Sequence, residues 1–369
     1  MEIEVAQEKL SKALSVVSRV AGGRTGLPVL NNVLIRVDEG KVSLTTTNLD
    51  MAVVDYVPVR SAANGVVTVP AKLVAEFVSN LPKGETLKLT VEGGTKMRVA
   101  AGQYNSLFNG ILADEFPELP EIDEGQAVSF RLGVPEFKLG ISEVVGCASN
   151  DTTRPALTGV YFNTFEGALF AASTDGYRLA ERKLGEKFEA EVASIVPSST
   201  LGEVLRAIDD SMEEIEICFD ENFVRFRMGE VEIISKLIDA RYPDYRRLLP
   251  EKNEVKFTIG KSELVRAMKL ASLFARGSGG SVVWNVIEGG SKLSVAAVVN
   301  ELGDNDTVME IGATVEGRAT FNSRYILDAL NALEEETVAV EMAVDKVTPI
   351  LIMNEKNRDY KHIIMPIRA

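Results

Sequence analysis

The feature that most constrains this chain is that its hydrophobic pattern recurs three times at an interval of about 127 residues. Leu10, Ala13, Leu14 and Val17 are answered by Phe137, Gly140, Ile141 and Val144, and again by Leu264, Ala267, Met268 and Ala271. Offsets of 0, 3, 4 and 7 put these small or apolar side chains on one face of a helix. A second set follows each first: Val74, Phe77, Val78, Leu81; then Leu201, Val204, Leu205, Ile208; then Ile326, Ala329, Leu330, Leu333. Two amphipathic helices per unit are predicted, in three units.

Strand signals between the helices keep the same register. Glu39-Gly40, Glu166-Gly167 and Glu288-Gly289 each lie between alternating apolar residues, as in Asn32 to Val37 before and Val42 to Leu44 after. This pattern reads as a hairpin turn joining half-buried strands. A period above one hundred residues exceeds the roughly 20 to 50 of solenoid repeats, so the units are tandem domains of one α+β fold. Boundaries fall at the polar, proline-led stretches Pro120 to Gly125 and Pro250 to Glu254, giving domains 1–125, 126–251 and 252–369 with exposed connectors. Each is long enough to bury a core of its own.

No apolar run approaches the ~20 residues that span a bilayer, and no basic-then-apolar leader opens the chain, so no membrane partner and a cytoplasmic location are expected. Cys147 and Cys218 are isolated within apolar patterns and read as small buried hydrophobes. A net charge of −14 argues against a nucleic-acid partner on average. The helices depart from that average. They carry about eleven cations (Lys9, Lys12, Arg19, Lys72, Lys138, Arg206, Lys261, Arg266, Lys269, Arg276, Arg324) against roughly eight anions. Solvated helix faces and a shared cationic surface are both open readings of this bias.

Enzymatic chemistry loses most of its usual routes. A single histidine, His362, excludes histidine-rich metal sites, and no phosphate-binding loop, dinucleotide fingerprint or paired CxxC occurs, so no cofactor is expected. Asp304-Asn305-Asp306 faintly suggests a calcium loop, but its twelfth position is Val315, so the segment reads as a turn. Thr174 to Ala180 departs from its counterpart Thr47 to Val53, with Gly176 supplying a backbone conformation that other residues resist. Asp239 to Pro250 echoes Ala113 to Pro120 but is more basic and aromatic.

Three motifs in order, Thr-Asp-Gly-Tyr-Arg-Leu at Thr174 to Leu179, Tyr-Pro-Asp-Tyr-Arg-Arg at Tyr242 to Arg247, and Met-Pro-Ile-Arg at Met365 to Arg368, resemble the bacterial DNA sliding clamps, the beta subunits of DNA polymerase III. With the triplicate pattern, the resemblance covers essentially the whole chain. It implies three clamp domains per chain, a head-to-tail homodimeric ring around duplex DNA, and partners that include the polymerase alpha subunit, the clamp loader and other proteins bearing a clamp-binding motif. The implied partner-peptide pocket uses Leu157, Thr174, Gly176, Tyr177, Arg178, Leu179, Pro243, Arg247 and Leu248, with Ile363, Met365, Pro366, Ile367 and Arg368 from the tail. An apolar groove with arginines at its rim suits short linear peptides. Arg24 matches a DNA-contacting position of the family. Lys12, Lys72, Lys138, Arg206, Lys261, Arg266 and Lys269 are expected to face DNA from the helix charge bias. Phe108, Leu273 and Phe274 resemble apolar residues of the dimer seam. A non-ring interaction scaffold is the alternative.

Overall fold

In the computed structural model, all residues are described except 23–25, 126, 189, 251–252, 300–302, 345–346 and 368–369. Among the described residues, six α-helices occur where the periodicity places them: α1 Gln7–Val17, α2 Ala71–Ser79, α3 Val134–Val145, α4 Ser198–Ala207, α5 Lys261–Phe274 and α6 Ser323–Ala332. The second helix of each unit stops short of the last apolar position in the pattern, so Leu81, Ile208 and Leu333 lie just beyond the helix ends. Leu81 and Leu333 are buried there all the same.

The hairpins form as read. Asn32–Asp38 pairs with Lys41–Thr47 across Glu39 and Gly40, which both have positive φ (46° and 78°), and Glu166-Gly167 repeats this turn at 49° and 74°. Equivalence between units reaches individual caps. The Thr46 hydroxyl donates to the Val17 carbonyl at the end of α1 (2.6 Å), and the Ser173 hydroxyl donates to Val144 at the end of α3. Such bonds satisfy carbonyls that a helix terminus leaves open.

Strand pairing does not respect the repeat boundaries. One eight-stranded sheet runs in the order Val128–Gly133, Glu214–Phe219, Phe223–Met228, Val231–Lys236, Met51–Val57, Lys41–Thr47, Asn32–Asp38, Gly65–Pro70. It joins strands of the first two repeats. A second joins the last two: Ala193–Pro197, Gly159–Phe165, Ala168–Thr174, Arg178–Glu186, Tyr360–Ile364, Ile350–Asn354, Thr337–Met342, Val255–Gly260. Two smaller sheets remain, one of five strands ending in Tyr104–Asn109 and one of four ending in Gly303–Glu310. The chain accordingly divides into two compact units, Met1–Val134 with Gly202–Leu237 and Pro135–Leu201 with Ile238–Ala369, and the division falls inside α4.

Two expectations are corrected here. Asp304-Asn305-Asp306 lies in the strand Gly303–Glu310, paired with Lys292–Val299, because polar residues alternate onto the open side of an edge strand. The connectors are packed, not free: Asn253 is buried and donates to the Glu341 carbonyl (3.0 Å), and Ile122 is buried at the other boundary. Cys147 and Cys218 are buried free thiols, as read. Among the described residues, no helix is long and apolar enough to cross a membrane.

Candidate partner groove and helix cations

The turn before strand Arg178–Glu186 is built by its own side chains. Thr174 Oγ1 donates to the Arg178 carbonyl (2.6 Å) and accepts from the Gly176 amide (3.0 Å), and Asp175 Oδ1 accepts from the amides of Tyr177 (2.9 Å) and Arg178 (3.0 Å). The first repeat has the same turn, with Thr47 and Asn48 in these roles and Leu49 at φ 77° where Gly176 has 93°. The backbone is therefore conserved between repeats, and only the side chains change. Gly176 is still constrained, since a Cβ there would lie 3.3 Å from Arg154 Nη1.

Of those side chains, Arg178 is the best satisfied. Its guanidinium donates to Asp175 (3.1 Å), to Asp328 on α6 (2.5 Å) and to the Gly146 carbonyl beyond α3 (2.9 Å), and lies 4.7 Å from the Tyr325 ring. It is largely buried and braces α6 against the turn, so at the rim it is already held by carboxylates. Tyr177 projects outward beside it, and both line a cavity of about 640 Å³ with Arg154, Tyr325 and Asp328.

The tail completes the opposite wall. Tyr360–Ile364 pairs with Arg178–Glu186 in the register Leu179 opposite Ile363, then the Met365 amide donates to the Tyr177 carbonyl (2.9 Å) and the Ile367 amide to Thr320 (2.7 Å). Leu179 and Ile363 are buried in one cluster with Tyr242, Tyr245, Leu351 and Met353, so they form a floor instead of an exposed lining. Above it, Arg247, Leu248 and Met365 line a hollow of about 590 Å³ with Leu249, Thr348 and Pro349. Leu248 and Met365 are exposed, and Arg247 pairs with Asp244 (2.7 Å). Pro243 is exposed, Leu157 and Pro366 are half-buried, and Ile367 sits at the surface. Arg368 lies outside the described residues. The predicted pocket thus resolves into a buried floor, an open hollow and a separate polar cavity. Tyr161, stacked on Tyr242 at 4.7 Å, and the α6 pair Tyr325 and Asp328 were missed, because no local pattern links them to residues more than 80 positions away.

Beneath this wall, the structure brings together one group that sequence spacing could not. His362 Nδ1 is 2.7 Å from Tyr360 Oη, and its Nε2 is 3.7 Å from Cys147 Sγ. The juxtaposition does not make a nucleophile. Burial pushes the thiol up to about 12 and, with Arg178 nearby, holds the imidazole down to about 3, so neither thiolate nor imidazolium forms near neutrality.

Most predicted helix cations are exposed, but not all are free. Lys12 pairs with Asp209, and Arg206 with Glu203 (2.5 Å). Lys261 is corrected: its amine donates to the Leu333 carbonyl (2.6 Å) and is half-buried, so it closes the end of α6. Lys72, Lys138, Arg266 and Lys269 are exposed. Arg24 lies outside the described residues. Phe108 is also corrected. It is buried edge-to-face on Phe77 (5.3 Å), and strand alternation turns its neighbour Leu107 outward instead. Leu273 is exposed and Phe274 half-buried.

Asp55 is buried beneath Lys12 without a hydrogen-bond partner among the described residues, and desolvation raises its pKa to about 6. A carboxylate raised above its unfolded value of 3.8 weakens the fold above pH 6 and ceases to do so below pH 4. Asp55→Asn is therefore expected to stabilise the protein by on the order of 2 kcal/mol at pH 8 and to change little at pH 4. Urea denaturation at the two pH values checks this; an equal effect at both counts against it.

Comparison with known proteins places this geometry. The family profiles of the DNA polymerase III beta subunit match in sequence order: the N-terminal domain at residues 1–120, the central domain at 131–244 and the C-terminal domain at 246–368. The chain is 30% identical to the beta sliding clamp of Staphylococcus epidermidis over 383 residues, and 30% identical to that of Staphylococcus aureus over 389, each covering 100% of both proteins. Among solved structures, it is similar to the sliding clamp of Pseudomonas aeruginosa bound to griselimycin (TM-score 0.94, 26% identity, 100% of both chains). It is also similar to the sliding clamp of Bartonella birtlesii bound to griselimycin (TM-score 0.91, 28% identity, 100% of both chains).

Proposed function

The chain belongs to the beta sliding clamp family, the beta subunits of DNA polymerase III, and from that membership we propose that it is a processivity factor of DNA replication acting as a head-to-tail homodimeric ring. The ring encircles duplex DNA without sequence preference, slides on it in the bacterial cytoplasm, and tethers the polymerase alpha subunit. The clamp loader and other proteins with a clamp-binding motif use the same groove. It is not an enzyme. Clamp domains at 1–125, 126–251 and 252–369 supply six to the ring.

One observation carries the ring. The strand pairing that joins the first repeat to the second also joins the second to the third, and among the described residues it leaves Tyr104–Asn109 and Gly303–Glu310 each paired on one side only. A second copy placed head-to-tail satisfies both edges, which are otherwise a liability.

Partner peptides bury one or two large apolar side chains over Leu179 and Ile363, between Leu248 and Met365, with Pro243, Leu157, Thr174 and Gly176 shaping the turn. Each such burial contributes about 1.5 to 3 kcal/mol, which after the cost of ordering a peptide gives roughly micromolar affinity. Lys72, Lys138, Arg266, Lys269 and Arg24 are the proposed DNA-facing cations. Lys12 and Arg206 contribute less because carboxylates already neutralise them. Topological enclosure needs only such a modest lining, and a net charge of −14 discourages binding outside the hole.

The test is light scattering on the purified chain, then loading onto nicked circular DNA and linearising it. The expected result is a dimer that stays on circles and slides off ends, with a log–log salt slope well short of the −10 of tight phosphate binders. A monomer indifferent to linearisation would return the chain to the scaffold reading.

A further inference from the structure

The second internal junction has a side chain that the first lacks. At the first, Met51–Val57 pairs with Val231–Lys236 in a register that sets Asp55 opposite Val231 and Ala52 opposite Ile234. At the second, Arg178–Glu186 pairs with Tyr360–Ile364 and sets Arg182 opposite Tyr360 and Leu179 opposite Ile363. The ladders correspond residue for residue under the repeat, so Arg182 answers Asp55 and Tyr360 answers Val231. On the first helix of each repeat, Gly140 answers Ala13 and Glu143 answers Val16.

At the second junction these residues fill one another's space. The Arg182 guanidinium donates to Glu143 (2.9 Å), and both side chains are buried. The arginine stem passes over Gly140, where a Cβ would lie 3.1 Å from Arg182 Cγ and 2.5 Å from a Leu184 methyl carbon. Tyr360, opposite on the ladder, is wholly buried. At the first junction the arginine is replaced by aspartate, and the tyrosine and the glutamate by valines. Asp55 is too short to retrace the arginine's course. It is 7% exposed and has no hydrogen-bond partner among the described residues.

The exchange of large side chains for small ones leaves room. A cavity of about 490 Å³ is lined by Ala13, Asp55, Val57 and Val231, the counterparts of Gly140, Arg182, Leu184 and Tyr360. It lies wholly within the first compact unit, whereas the hollow of the partner groove belongs to the second. Pro58 and Met212 extend its apolar wall. Its charges are mostly of one sign. Asp55, Asp209, Glu213, Glu214 and Glu230 stand against Lys9 and Lys12, and Lys12 is already paired with Asp209. Among the described residues, no three carboxylate, histidine or cysteine groups converge closely enough to hold a metal ion. The complement of an apolar hollow with a buried, unpartnered carboxylate in its wall is therefore an organic cation on an apolar stem.

We propose that this cavity binds an alkylguanidinium, whose stem lies against Ala13, Val57 and Met212 and whose guanidinium donates to the Asp55 carboxylate. The ligand supplies at the first junction what Arg182 supplies at the second. A guanidinium suits the place better than an ammonium, because it is more weakly hydrated and its planar fork matches both oxygens of a carboxylate. A free alkylguanidine and the arginine side chain of a partner protein share this chemistry.

Isothermal titration calorimetry of the full chain at pH 8, where Asp55 is charged, tests the site with n-propylguanidine. One site per chain is expected. n-Propylurea, a neutral compound of the same shape, is expected to bind at least tenfold more weakly, as is n-propylguanidine to Asp55→Asn. That variant removes an unpaired buried charge, so it keeps the fold. It also changes the net charge of −14 by only one, so general attraction of cations to an acidic protein cannot produce a tenfold loss. Equal binding to the parent and Asp55→Asn, equal binding of the urea, or no binding at about 10 mM overturns the proposal. A capped Gly-Arg-Gly peptide distinguishes the two sources. Asp55-dependent binding as tight as that of n-propylguanidine assigns the site to a partner's arginine, and binding at least tenfold weaker assigns it to a free guanidine.

Discussion

Removing Met365 to Ala369 is expected to weaken partner-peptide binding roughly 30-fold while the ring still assembles. Met365 forms one side of the hollow opposite Leu248, and the Met365 and Ile367 amides pin the tail to the Tyr177 and Thr320 carbonyls. Deletion removes two apolar side chains and the wall that excludes water. Met365 and Ile367 are 39% and 36% exposed before a peptide arrives, so the loss is a little over a third of their full burial, about 2 kcal/mol together at most. At about 1.4 kcal/mol per tenfold, this is roughly 30-fold. The strand Tyr360–Ile364 is left intact, so the second eight-stranded sheet keeps its pairing. Fluorescence anisotropy with a labelled apolar peptide measures the first effect and light scattering the second. Affinity within threefold of the intact protein would move the groove elsewhere.

Gly110→Ala is expected to be the most destabilising small substitution in the protein. A Cβ at Gly110 would lie 1.6 Å from the Thr68 carbonyl oxygen, a backbone atom with no rotamer to escape through. Thr68 is itself fixed, since its hydroxyl donates to the Ile111 carbonyl (2.6 Å), and the Gly110 amide donates to Thr95 (2.7 Å). Relieving the overlap must break this crossing of two strands. A cost of about 4 kcal/mol or more follows from the tail of overpacking and backbone effects. For a unit of this size that lowers Tm by roughly 10 °C, which scanning calorimetry reads directly. A shift under 3 °C would mean the crossing relaxes more easily than its geometry allows.

Repetition made the elements legible. Helices need only a face of apolar residues at 3.6 spacing, and two-residue turns need only a residue pair that accepts positive φ, so local patterns sufficed for α1 to α6 and for Glu39-Gly40. What stayed hidden was long-range pairing. Nothing near Arg178 in the sequence marks Asp328, 150 residues on, as its partner. Strand registers such as Asp55 opposite Val231 are set by contacts that no window contains. The errors have the same origin. Phe108 matches an interface position by resemblance to the family, but the direction of its side chain depends on which face of its strand is covered, and Phe77 covers it. Lys261 looks like one more helix cation until the end of α6 comes within reach of its amine.

The eight-stranded sheets have a consequence for how such a chain can be divided or descend from a smaller one. Its sequence is modular in thirds, yet its hydrogen-bond ladders are continuous across each boundary, and the chain passes from one compact unit to the other within a helix. The middle repeat cut out at its linkers would carry a severed ladder on either side, and a terminal repeat one, with backbone donors and acceptors that only another repeat can satisfy. The repeat is thus a unit of sequence whose hydrogen bonding is completed by its neighbours. A chain one repeat long would carry open edges that only further copies could pair.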